Sequence, residues 1–139
     1  MLNALAVSKL AHDGKLSPDA PLGRLIDELP PELHEVTIDQ LLTHTAGMSH
    51  QLAVQGRGGA NDLGAAARGL TRFDRFAQGG AVYSYSNTGL ALVGLAIERA
   101  AGKPYAAAMK SLLLEPLGLQ RSTFEFATAQ SALARGWLP

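Results

Sequence analysis

The chain has 139 residues, no cysteine, 12 Lys+Arg against 12 Asp+Glu, and 47% hydrophobic against 17% charged residues. That length is enough for one domain, residues 1–139, with a core of its own. The balance excludes a disordered chain, a disulfide scaffold, thiolate zinc sites and the basic footprint of a nucleic-acid or anionic-membrane binder. No apolar run reaches the length of a membrane span, and "MLNALAVSKLAHDG" lacks the basic start and small-residue cleavage site of a signal peptide, so the cytoplasm is the expected location.

In chain order, Leu2, Leu5, Ala6 and Leu10 recur at helical spacing and predict a helix over residues 1–12 that has no N-cap and stops at Gly14. "KLSPDAPLG" reads as a loop, and "PLGRLIDEL" as a short helix opened by Pro21 and ended by Pro30-Pro31. "VTIDQLLTHTAGM" carries the clearest local signal. Thr37 is an N-cap, Gln40 its reciprocal partner three residues on, Asp39 suits the positive helix end, and Gly47 closes the element. Residues 48–61 read as a loop. "DLGAAARGLTRFDRFAQGG" predicts a weaker helix ending at Gly79-Gly80.

"TGLALVGLAIERAAG" is apolar almost all round and predicts a central buried helix ended by Gly102. Pro104 opens a further helix, "PYAAAMKSLLLEP", and a short extended stretch is expected near residues 123–126 before weak helical signal. The fold class is therefore mostly α, a compact multi-helix domain with little or no sheet. Ala and Leu dominate and aromatic residues are few, which suits helices packed closely through small residues.

Two sets of residues could carry chemistry. At the mouth of the central helix, Tyr85-Ser86-Asn87 reads either as catalytic machinery or as a turn with Ser86 or Asn87 capping the helix. Among the histidines, "HTAGMSH" sets His44 and His50 six apart across a Gly-containing turn with Asp39 upstream. That makes His44 and His50 candidate ligands for zinc or manganese, and a bound metal generates hydroxide without any serine. The plainer reading places His12 and His44 at helix C-termini, where the dipole favours positive charge.

"VTIDQLLTHTAGM", "YSYSNTGLALVGLAIERAAGKPY" and "LLLEPLGLQRSTF", with "KLSPDAPL" before them, closely resemble the serine β-lactamase, penicillin-binding protein and class C esterase superfamily, in family order along essentially the whole chain. The resemblance implies an all-helical domain set against an antiparallel sheet. In the cleft between them meet a nucleophile Ser and a Lys in S-x-x-K, a Y-x-N loop and a K-T-G-like strand. Tyr85 and Asn87 match Y-x-N. They imply a general base and proton shuttle at Tyr85, and at Asn87 a hydrogen-bonding partner for the Lys and the substrate amide.

No Ser in the sequence is followed three places later by Lys, Ser8 and Lys9 are adjacent and lie on different helix faces, no G-x-S-x-G elbow occurs, and no K-T-G or H-T-G follows Tyr85. The sequence resembles the family's helical domain taken alone, beginning one turn after the nucleophile and ending before the sheet returns. In the family, the oxyanion donors are the backbone N–H of the missing Ser and one from the missing strand. Serine acyl transfer by this chain alone is therefore not expected.

The alternatives are metal-assisted hydrolysis of activated esters or phosphoesters through the histidines, and a binding module that complements a chain carrying S-x-x-K. An active form would take a small-molecule ester, β-lactam or phosphoester. The apolar face that the family packs on its sheet predicts a homodimer, with the first helix the element expected to swap or rearrange.

Overall fold

The computed structural model describes residues 1–49, 63–125 and 129. Its helices are α1 (Leu2–His12), α2 (Ile38–Leu42), α3 (Leu63–Arg68), α4 (Asn87–Ala101) and α5 (Tyr105–Met109). Among the described residues there are isolated bridges at Pro21–Thr37 and Met48–Arg75 but no sheet, so the mostly α class holds. No helix among them is long and apolar enough to cross a membrane.

The continuous apolar run of α4 makes it the axis of the packing, in contact with α1, α2, α3 and α5. It buries every residue from Leu92 to Ile97, and each large aliphatic side chain taken from water there contributes roughly 1.5–3 kcal/mol. Small residues let its neighbours approach: a Cβ added at Gly94 would lie 3.1 Å from Leu63 Cδ1 and 3.5 Å from the Tyr105 ring. Gly102 ends the helix, as read from the sequence.

Helix α1 packs on α4 of its own chain through Ala6, Val7 and Leu10. The buried face is rotated from the predicted one, and Leu2 and Leu5 are exposed. A polar strut fixes its first turn: Asn3 Nδ2 donates to the Leu90 carbonyl (3.2 Å), and the Tyr105 hydroxyl donates to Asn3 Oδ1 (2.6 Å). Burial raises the Tyr105 phenol above its ordinary pKa, so it remains a donor at neutral pH.

The capping box of α2 forms as read. Thr37 Oγ1 accepts from the Gln40 N–H, and Gln40 Oε1 accepts from the Thr37 N–H, each at 3.2 Å. Three other predicted elements differ, and in each the backbone finds other partners. Residues 21–29 make only a 3₁₀ turn, Leu22–Arg24, with the Leu22 N–H donating to the Val36 carbonyl and the Gly23 N–H to the His34 carbonyl. Residues 62–80 hold α3 and a 3₁₀ turn, Arg72–Asp74, after which the chain runs antiparallel to residues 47–49: Ser49 N–H donates to Asp74 O and Phe76 N–H to Gly47 O. Beyond Met109 the last helix widens into a π turn, Lys110–Leu114. No strand forms at residues 123–125, and the rest of the predicted tail lies outside the described residues apart from residue 129.

The contact between residues 47–49 and 74–77 depends on Gly47. Its φ is +71°, and a Cβ there would stand 2.2 Å from the Ala77 carbonyl oxygen. Gly80 also has positive φ (+84°) but nothing within 4 Å of the same added atom. Gly47→Ala is therefore expected to cost clearly more stability than Gly80→Ala, which bears only the left-handed backbone penalty of roughly 1–2 kcal/mol. Urea unfolding midpoints of the two variants measure the difference.

Candidate active site

Two short backbone segments meet at the N-terminus of α4. Residues 44–49 lie along residues 80–86, with Gly80 N–H donating to Thr45 O and Ser84 N–H to His44 O (both 2.8 Å). Ser84 Oγ donates to the Met48 carbonyl (3.1 Å). Ser86 is the N-cap: its Oγ accepts from Gly89 N–H at 3.0 Å and donates to the Ser49 carbonyl at 2.8 Å. Of the two capping candidates, Ser86 is the one that caps. With 3% of its surface exposed and its hydroxyl engaged on both sides, it serves the fold as a cap and a tie.

Tyr85 points the other way and is 48% exposed. Its hydroxyl donates to Asn87 Oδ1 at 3.1 Å, so the structure brings both predicted site residues together at the helix mouth. Tyr83, 72% exposed, lies beside them. The His44 ring stacks at a tilt against Tyr85 (centroids 4.6 Å apart) and meets Tyr83 edge-on (6.1 Å). Its Nδ1 accepts the Ser86 N–H at 3.2 Å, which leaves the neutral ring's proton on Nε2.

His44 is the one residue other than glycine with positive φ (+60°) among the described residues, a conformation that costs roughly 1–3 kcal/mol and accumulates at functional sites. It also lines a cavity of about 450 Å³ together with Met1–Ala4 at the start of α1, Leu42, Leu90, Tyr105 and Phe124.

The other predicted chemistry sits elsewhere. Lys9 is at the far end of α1 from this cavity, bonded to both carboxylate oxygens of Asp13 at 2.7 Å, and with His12 it holds that carboxyl below its usual pKa. His50 lies outside the described residues. Among the described residues, no three His, Asp or Glu side chains are grouped to hold a metal. A metal on His44 Nε2 would have to displace the proton that the Ser86 hydrogen bond leaves there.

Sequence reasoning took His44 for a helix-end or metal-site histidine and passed over Ser49, Ser84 and Asn3. The "THTAG" segment marks the right place, but the contacts that give it meaning span 37 to 42 residues along the chain.

A beta-lactamase family model matches residues 1–137. This chain belongs to the beta-lactamase family. Esterase EstB of Burkholderia gladioli is 36% identical over 140 residues, an alignment that covers 87% of this chain and 35% of EstB. The octameric penicillin-binding protein homologue from Pyrococcus abyssi is 31% identical with a TM-score of 0.73, over 95% of this chain and 32% of that one. SurE is 40% identical with a TM-score of 0.70, over 84% of this chain and 25% of that one. The helical architecture is thus the family's, and the chain spans about a third of the length of the curated relatives it matches.

Replacing the N-cap tests the assignment of Ser86. Ser86→Ala removes the acceptor for Gly89 N–H and the donor to Ser49, with an expected loss of about 1–2 kcal/mol in denaturant unfolding. A change within error would remove Ser86 from its structural role.

Proposed function

We propose that this chain is the helical wall of a serine acyl-transfer cleft, presenting Tyr85 and Asn87 to a nucleophile that the 139 residues do not contain. The observation that carries the reading is the half-exposed Tyr85 hydroxyl held 3.1 Å from Asn87 Oδ1 at the mouth of α4. A phenol takes a proton from a nucleophile only after giving up its own, and a nearby ammonium favours that phenolate.

Among the described residues, Lys9 is committed to Asp13, and the Ser84 and Ser86 hydroxyls donate to backbone carbonyls. On this reading the chain alone, which carries no Ser-x-x-Lys, performs no serine acylation. Turnover requires a Ser-x-x-Lys segment from outside these residues, in the same polypeptide or in a separate chain that this one complements. The identity to an esterase supports a carboxylic ester as the substrate class.

Labelling tests both halves of this reading. The chain alone is expected to give no fluorophosphonate or penicillin adduct on any serine, by intact-mass spectrometry. A chimera in which it replaces the corresponding segment of EstB is expected to label and to hydrolyse p-nitrophenyl esters, with kcat at least about a hundredfold lower in Tyr85→Phe. An adduct on the chain alone, or an unaffected Tyr85→Phe chimera, contradicts the proposal.

The same surface reasoning extends to self-association. Leu2 and Leu5 are exposed on α1, and Phe73, Phe76 and Tyr83 are exposed near the site. Exposed apolar side chains of this kind favour burial against a second copy, and twofold pairing is the commonest arrangement. The octameric Pyrococcus abyssi homologue supports self-association in this family. Sedimentation velocity is expected to show a dimer whose fraction rises with concentration, and a monomer throughout would refute it.

A further inference from the structure

We infer that His44 is the positioning residue of the Tyr85–Asn87 pair, acting through an Nδ1 acceptor and a left-handed backbone. The role in acyl transfer rests on the reading above; the geometry does not. Tyr85 lies between two backbone N–H groups, and His44 takes both. The Ser84 N–H goes to its carbonyl at 2.8 Å and the Ser86 N–H to its Nδ1 at 3.2 Å. Between these two bonds, the imidazole forms the surface against which the Tyr85 ring rests, 4.6 Å between centroids. The residue that aims the hydroxyl at Asn87 is therefore 41 positions away from Tyr85 in sequence.

The choice of residue carries the argument further. At φ +60° glycine is unstrained, and asparagine and histidine are among the other residues that adopt the left-handed region most readily. Glycine would satisfy the backbone and lose both the acceptor and the ring. Histidine supplies an acceptor for the Ser86 N–H, which as the N–H of an N-cap residue lies outside the helix ladder of α4. It also supplies the flat surface under Tyr85. In this geometry the neutral ring with its proton on Nε2 is the form that fits, because Nδ1 must accept.

Nuclear magnetic resonance on the 139-residue chain tests the inference without reference to turnover. In the wild type, long-range ¹⁵N–¹H correlation of the His44 ring is expected to show a pyridine-type Nδ1 and a protonated Nε2. His44→Asn keeps a residue suited to left-handed backbone and places an amide oxygen where Nδ1 stood. His44→Gly relieves the strain and removes the acceptor. Ser86 amide protection from hydrogen exchange is expected to fall at least tenfold in His44→Gly and to be largely restored in His44→Asn. The contact between the Tyr85 ring and the Asn87 side chain, read as an Overhauser effect, should be lost in the glycine variant.

A ring protonated on Nδ1, or Ser86 protection in His44→Gly equal to the wild type, overturns the inference. A wild-type ring protonated on Nδ1 overturns the inference even where a variant does not fold. Because none of these readouts depends on acylation, an inactive EstB chimera would end the hydrolase reading and leave this one standing.

Discussion

The Ser86 hydroxyl ties the first turn of α4 to the segment that lies along it. Ser86 Oγ receives a backbone N–H from the first turn of α4 and gives its own proton to the Ser49 carbonyl, almost wholly out of water. A group that donates and accepts in a desolvated place is costly to leave half-satisfied, so each bond holds the other in place. The segment 44–49 is thereby fixed against the helix, and the neighbouring side chains take their directions from it. Ser86 turns inward to cap while Tyr85 and Asn87 face the open mouth. The catalytic-looking residues and the capping residue are thus different members of one tripeptide, and the cap is the part that the geometry assigns.

The rest of the molecule gives that mouth a stable base. Helix α4 is buried along its middle, packed by α1, α2, α3 and α5, so its N-terminus is carried on the central element of the core. On the proposed reading the described residues offer one wall. It has a tyrosine–asparagine pair, an imidazole behind it and an adjoining cavity lined by the start of α1. The family's chemistry needs a second wall to supply the attacking group and the donors for its oxyanion, and membership in the family does not by itself provide one.

Legibility in the sequence followed the range of the interactions. The capping box at Thr37 and Gln40, the buried helix after Asn87 and the stop at Gly102 all depend on neighbours within a turn, and each was readable. The segments 21–29 and 62–80 look helical by composition but were not helical along their length. In the second, backbone groups beyond α3 pair with residues distant in sequence, the Phe76 N–H with Gly47 and the Gly80 N–H with Thr45. The face of α1 was misjudged for a related reason: periodicity finds a stripe, but which stripe is covered depends on the partner helix. Tyr85 and Asn87 could be named because a motif marks them. His44 could be located but not understood, since its meaning lies in a hydrogen bond to a residue 42 positions on.

The polar strut at Asn3 has a mechanical consequence. One carboxamide ties the opening turn of α1 to the Leu90 carbonyl and to the Tyr105 hydroxyl, so three helices share a bolt at the same end of the bundle. Loss of that one side chain would leave the Tyr105 hydroxyl and the Leu90 carbonyl short of a partner together, so the opening turn of α1, the start of α4 and the start of α5 are coupled through a single residue.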